Sequence, residues 1–331
     1  MNERYCVFRT DAIGDTLLTL PLAAALKEHQ PSADVVFCVR RYTSPLIRLA
    51  SHVDEVIEID DRDVQPFAFA KRLRAHGIST AVFAYPRPGL AFASKLAGIP
   101  VRIGTAYRWY SPMFTHKRKE HRKDATLHEA RYNLNLLEET GIVTEQIPIP
   151  EIILPPDVVK EAKSMISGLF GEIPPELIIV HPGSGGSARD WSPESFADLA
   201  QKLLSERSDC CIMVTGSISE RDTMRSVVRG GEDRLRLLEK ECPLELFAAI
   251  LAQANLVAAN STGPLHIASI LGVSVVGFYP NEAVMHPRRW APLGQKKALL
   301  MPGRAGAGMD TVSVESAIKA VNRLLEGTLS S

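Results

Sequence analysis

The chain has 331 residues, and at about 100–200 residues per domain two domains are the default expectation. Its apolar fraction of 45% is ordinary for a globular protein, and Lys+Arg and Asp+Glu balance at 38 each. No overall field points to nucleic acid or to a membrane surface, so any such partner must be met by a local patch. The polar start "MNER" passes straight into a strand, and the sequence has no apolar run of the ~18 residues a spanning helix needs. The expectation is a cytoplasmic chain with neither signal peptide nor membrane span. Cys6, Cys38, Cys210, Cys211 and Cys242 show no C-x-x-C spacing and read as buried thiols in a reducing compartment.

Along the chain, short apolar runs alternate with helical patterns. "YCVF" precedes a helix to about His29; "DVVFCV" at 34–39 precedes a helix starting near Thr43; "EVIEI" at 55–59, "TAVFA" at 80–84 and "RIGT" at 102–105 follow. That is the βαβ signature of a parallel sheet with helices on both faces. Prolines 148, 150, 155, 156, 174 and 175 bracket one helix-like segment, which places the inter-domain connection between about 148 and 175. A second alternation runs through "LIIVHPGSGG" at 177–186, "CCIMVTG" at 210–216, "LVAANSTGPLHIASILG" at 256–272 and "VSVVGFYP" at 273–280, and ends in "VSVESAIKAVNRLLEG". Two doubly wound units are predicted, domains 1–153 and 154–331, facing across a cleft. Ligands of open α/β sheets bind outside the carboxyl ends of the strands, so the turns after strands are where chemistry belongs.

Three such turns stand out. In "RTDAIGD", after the first strand, Asp11 or Asp15 suits a helix N-cap, and a carboxylate held there by a Gly-containing turn equally suits a general base. Pro21, well inside the apolar pattern that follows, must kink the helix or mark its true first turn. "HPGSGGSARDW" at 181–191 puts three glycines and two serines, Ser184 and Gly185 among them, between a strand and a helix beginning near Ser192. Backbone N–H groups in such a loop can face an anion, and Arg189 adds a cation. It is not a P-loop, because no Gly-Lys-Ser/Thr follows, nor a G-x-S-x-G elbow, because Pro182 stands where the first Gly belongs. In "NSTGPLHIASILG", Ser261, Thr262 and Gly263 precede Pro264 and His266; this reads as a Ser/Thr-capped helix or as a second anion site facing the first. "IDDRD" at 59–63 reads as a solvated turn, and no second carboxylate or His cluster supports a metal. No G-x-G-x-x-G follows the first strand, which argues against a nicotinamide enzyme.

Taken with "HEARYNLNLL" at 128–137 and "MVTGSISERD" at 213–222, these stretches resemble glycosyltransferase family nine, the ADP-heptose:lipopolysaccharide heptosyltransferases, over nearly the whole chain. The resemblance implies a GT-B fold of two Rossmann-like domains: an N-terminal acceptor-binding domain and a C-terminal nucleotide-sugar-binding domain. It implies metal-independent, inverting transfer without a cofactor, from a nucleotide-diphosphate sugar to a lipid-linked saccharide acceptor. By the same resemblance Asp15 is the catalytic base, Asp11 a turn or capping residue, Arg189 a diphosphate contact where many members carry Lys, and Glu220 a ribose contact. Many members carry Asp at a donor-sugar contact where this chain has Ser261.

The reading is thus a GT-B glycosyltransferase moving a heptose from ADP-heptose to a lipopolysaccharide inner-core acceptor. The alternatives are the same chemistry with another nucleotide sugar or acceptor, a GT-B nucleotide-sugar epimerase, or a sugar-nucleotide-binding protein without activity. A last stretch, 102–131, gathers Lys117, Arg118, Lys119, Arg122 and Lys123 with Tyr107, Trp109, Tyr110, Met113 and Phe114. Charge runs are commonly solvated loops, but interleaved aromatics suit a surface meeting lipid and anionic head groups. These five cations are therefore acceptor-binding candidates, with peripheral contact at the inner leaflet of the inner membrane.

Overall fold

The computed structural model of the chain describes residues 3–60, 65–186, 189–228 and 233–327. It divides into two compact units, Met1–Ile153 and Leu154–Ser331. In the first, strands β1 (Arg4–Phe8), β2 (Asp34–Arg40), β3 (Glu55–Ile59), β4 (Thr80–Phe83), β5 (Val101–Thr105) and β6 (His116–Arg118) form one parallel sheet in the order β3-β2-β1-β4-β5-β6. In the second, β7 (Glu176–His181), β8 (Cys210–Val214), β9 (Leu235–Leu237), β10 (Leu256–Asn260), β11 (Ser274–Phe278) and β12 (Lys297–Leu300) form another, in the order β12-β11-β10-β7-β8-β9.

The central strands are continuous apolar runs because helices cover both of their faces. Cys6 of β1 is fully buried and lies opposite Val36 on one side and Ala81 on the other. Phe8 stacks on Phe83 with ring centroids 4.4 Å apart, and Phe83 in turn meets Phe114 at 5.0 Å. A side chain at Gly104 would overlap the Phe114 ring, so the glycine makes room for that packing. In the second unit Trp191 is completely buried, stacks on Phe278 at 4.1 Å and donates its indole N–H to the Val312 carbonyl at 2.8 Å.

Three elements differ from the sequence reading. The helix after β1 is two helices, Ile13–Leu17 and Leu20–His29, with Pro21 in the first turn of the second, where its missing N–H costs nothing. Edge strands β6 ("HKR") and β9 ("LRL") carry too few apolar residues to announce themselves. Cys6, Cys38 and Cys210 are buried, but Cys211 and Cys242 are only half-buried; all five are free thiols. Asp61 and Asp63 of "IDDRD" lie outside the described residues, as do Ser187 and Ala188 of the glycine-rich loop.

Candidate active site

Each sheet begins in its middle: β1 has β2 on one side and β4 on the other, and β7 has β8 on one side and β10 on the other. Connections leave these first strands toward opposite edges, which opens a crevice at their carboxyl ends. All three turns singled out in the sequence sit at carboxyl ends of strands in the middle of their sheets, after β1, β7 and β10.

In the first unit the organising residue is Arg9, directly after β1 and almost fully buried. Its Nε donates to Asp11 Oδ1 at 2.8 Å, its Nη2 to Asp15 Oδ1 at 2.5 Å and its Nη1 to Glu129 Oε1 at 2.9 Å. Burial alone would make the guanidinium easier to deprotonate, but the surrounding carboxylates, Asp11 first, hold its charge in place. Asp15 stands in the first turn of helix Ile13–Leu17, its side chain 22% exposed. Asp11 does not cap that helix; the N-cap is Ala12, with no side-chain hydrogen bond. Instead Asp11 lines a pocket of ≈ 570 Å³ with Thr10, Ala12, Arg40, Tyr42, Tyr85 and Arg87, all at the ends of β1, β2 and β4. Burial, opposed by Arg9 and aided by the Asp15 charge, pushes the Asp11 carboxyl up to about 6.

The far side of Arg9 is held by the helix Glu129–Leu134. Glu129 is buried and accepts from Arg122 Nη1 at 2.8 Å as well as from Arg9. Asn133, one turn on, accepts from Arg122 at 2.9 Å and donates to the Leu18 carbonyl at 3.1 Å and to Thr19 Oγ1 at 3.0 Å, satisfying groups at the break between the two helices. Arg9, Glu129 and Asn133 were missed as site residues. The available signals were an arginine closing an apolar strand and a Glu–Asn pair at i, i+4 in "HEARYN", which share one helix face.

In the second unit β7, β8 and β10 are adjacent, so their three turns meet. His181, closing β7, is buried and bonded through Nδ1 to Thr215 Oγ1 at 2.9 Å; burial pushes its pKa down to about 4, against the opposing Glu220 charge. Gly185 and Gly186 have φ of +59° and +78°, a left-handed backbone that favours glycine. The Gly185 N–H, expected to face an anion, donates to Glu220 Oε1 at 2.9 Å. Glu220 Oε2 accepts from the Ser217 N–H at 2.9 Å and from Ser217 Oγ at 2.7 Å. Burial favours the protonated acid, but these hydrogen bonds, with His181 beside them, overcome it and hold the carboxyl below its usual range. In the structure Glu220 thus ties two turns together.

Asn260, at the end of β10, ties the third turn to the first. It accepts from the Trp191 N–H at 2.9 Å and donates to the Pro182 carbonyl at 2.7 Å. The sequence reading passed over it. Thr262 is the N-cap of helix Gly263–Ile270 but makes no side-chain capping bond, contrary to the capped-helix reading, and Pro264 lies in the first turn. Ser261 shares a hydrogen bond with buried Tyr279, and His266 is buried. Ser184 is buried as well, while Arg189, the cation the sequence added to this loop, is exposed and paired with Glu282 at 3.0 Å.

The five acceptor-binding candidates separate into two groups. Lys117, Lys119 and Lys123 are exposed. Arg118 is engaged by Glu138 at 2.7 Å and Glu120 at 3.0 Å, and Arg122 belongs to the Glu129 cluster and also reaches the Tyr132 carbonyl at 3.1 Å. The segment is thus not a uniform solvated loop, and these two arginines are internal ties. Its aromatics divide likewise: Tyr110 and Phe114 are core residues, whereas Trp109 is 81% exposed.

The model of glycosyltransferase family 9 (heptosyltransferase) matches residues 67–316. The chain belongs to glycosyltransferase family 9. A Haemophilus influenzae protein that bears a provisional glycosyltransferase name is 28% identical over 97% of this chain and 96% of its own length. Among solved structures, a family 9 glycosyltransferase of Veillonella parvula superposes with a TM-score of 0.87 at 21% identity, over 98% of this chain and 97% of that one. The ADP-heptose lipopolysaccharide heptosyltransferase II of E. coli gives 0.83 at 18% identity, over 98% and 99%. At these identities the structural likeness concerns the fold, which is the α/β GT-B fold expected from the sequence. Among the described residues no helix is long and apolar enough to cross a membrane.

Proposed function

We propose that this family 9 glycosyltransferase moves a heptose from ADP-heptose to a lipopolysaccharide inner-core acceptor with inversion at the anomeric carbon. The observation that carries the reading is Asp15: a partly exposed carboxylate at the carboxyl end of β1, held by the buried Arg9. Sugar-nucleotide binding alone has no use for such a group.

In this reading Asp15 accepts the proton of the acceptor hydroxyl as its oxygen attacks the anomeric carbon from the face opposite the diphosphate. The carbon–oxygen bond to the diphosphate breaks, and the leaving group takes the electron pair. Arg189 and the N–H groups opening helix Gly263–Ile270, where no side chain caps the first turn, stabilise that charge. Glu220 and Asn260 keep the donor turns in place. Unit Met1–Ile153 serves the acceptor and unit Leu154–Ser331 the nucleotide sugar.

The test is a single-turnover assay with ADP-, GDP- and UDP-sugars, with and without an inner-core acceptor, following free nucleotide diphosphate and glycosylated product. Acceptor-dependent release of ADP from ADP-heptose supports the proposal. Product from another donor would change the substrate, acceptor-independent release of UDP would indicate an epimerase, and binding without turnover would leave a binding protein. Thermal shift ranks donors beforehand, since a ligand at ~100 times its dissociation constant adds ~2.7 kcal/mol to stability.

A further inference from the structure

The Arg9 guanidinium has three carboxylates on three different nitrogens. Its planar fork is rigid, so its orientation is set by whichever partner is fixed most firmly. Asp11 and Asp15 both lie on or beside the turn after β1 and are partly exposed, at 20% and 22%. Glu129 is 2% exposed, belongs to a helix and is gripped from behind by Arg122. The same helix, through Asn133, holds the Leu18 carbonyl and Thr19, just past the helical turn that carries Asp15.

We propose that Glu129 is a positioning residue for Asp15, acting through Arg9: it fixes the plane of the guanidinium that aims Asp15, and it offsets enough of the Arg9 charge for Asp15 to remain a competent base. The inference rests on reading Asp15 as the base. An isolated arginine paired with a carboxylate stabilises the anion and so weakens its pull on a proton. With Glu129 on the opposite nitrogen, two guanidiniums face three carboxylates, so the Arg9 charge is not left to Asp15 alone. Arg122 is itself held in place, its guanidinium 5.6 Å from the Tyr132 ring centre. The other charged or titratable groups at the pocket are Arg40, the last residue of β2, Tyr42 just after it, and Tyr85 and Arg87 after β4.

The role predicts shifts of opposite sign. Glu129→Gln removes a negative charge, so the Asp11 carboxyl on the same guanidinium should titrate lower; Arg122→Gln removes a positive one and should move it up. Arg122→Lys, which keeps the charge, should leave the midpoints near wild type.

The experiment is carboxyl 13C NMR titration of the full chain, with the two signals assigned through Asp11→Asn and Asp15→Asn and the midpoints treated as those of a coupled pair. It needs no substrate, so it stands apart from the identity of donor and acceptor. In the transfer assay Glu129→Gln should lower kcat by ~10-fold or more with the donor KM near wild type. Should Glu129→Gln fail to fold, the Arg122→Gln and Arg122→Lys pair decides, because Arg122 is the less buried of the two residues. Unmoved midpoints in folded Arg122→Gln, or in folded Glu129→Gln, overturn the proposal. Shifted midpoints together with full transfer by Asp15→Asn would instead overturn the assignment of the base.

Discussion

Gly183 and the Glu220 carboxylate lie so close that a methyl group on Gly183 would overlap Glu220 Oε1. Glycine here is a requirement of packing: it lets one carboxylate reach both the Gly185 N–H and Ser217. Gly183→Ala should push Glu220 away, release both turns and weaken nucleotide-diphosphate binding by ~10-fold or more, as expected when charge-assisted hydrogen bonds of about 1.5–3 kcal/mol are disturbed. Calorimetry with ADP reads this directly, and wild-type affinity in Gly183→Ala would show that the Glu220 tie has no part in shaping the donor turns.

The pairing of Arg189 with Glu282 makes a two-sided prediction. Arg189→Ala should weaken ADP binding and slow transfer, because a cation is lost where the leaving group's charge develops, while Arg189→Lys should keep part of the function. Glu282 competes for the same guanidinium, so Glu282→Gln should leave ADP affinity equal or raise it. Unchanged affinity in Arg189→Ala would mean that the side chain serves only its pair with Glu282.

His181 should make stability fall in mild acid. Its pKa is depressed from 6.5 to about 4 by burial, so the unfolded chain binds a proton that the folded chain refuses. Stability from this residue is fully present above pH ~6.5, is lost as pH falls toward ~4 and then levels off, a change of about 3 kcal/mol at most. Urea unfolding of wild type and His181→Gln at pH 7.5 and pH 5 isolates the term. The wild type should lose more stability than the variant over that interval; parallel losses would contradict a neutral, buried His181.

Of the five cations proposed to meet the acceptor, Lys117, Lys119 and Lys123 are the exposed ones. Replacing these three with Gln should raise the acceptor KM and weaken binding to anionic vesicles, both effects shrinking with salt, while donor affinity stays put. Arg118→Gln should act on stability, because Arg118 is already committed to Glu138 and Glu120. Wild-type acceptor kinetics in the triple variant at low salt would make the lysines ordinary solvated charges.

The sequence was most legible where one residue type has one physical use. Apolar runs such as "DVVFCV" and "LIIVH" are strands buried on both faces, and Pro21 and Pro264 sit in first helical turns. The turns after β1, β7 and β10 were found for the same reason: glycine and acidic or hydroxyl residues at a strand end have few structural roles. Long-range polar partners stayed hidden. Nothing local to Arg9 points to Glu129, 120 positions away, and although Glu120 and Glu129 stand close in sequence to Arg118 and Arg122, spacing alone does not tell a solvated pair from an internal tie. The ties of Asp11 to Arg9 and of Glu220 to Gly185 were hidden in the same way, the second lying 35 positions apart in the chain.

The most direct test of the account is Asp15→Asn, an isosteric change that removes the base and keeps the side chain's size. Donor affinity by calorimetry and the folded baseline by circular dichroism should match wild type, while single-turnover transfer should fall by ~10²–10⁴-fold, the usual worth of a general base. Asp11→Asn in parallel should retain far more activity. Full transfer by Asp15→Asn with the native acceptor would contradict the account at its centre.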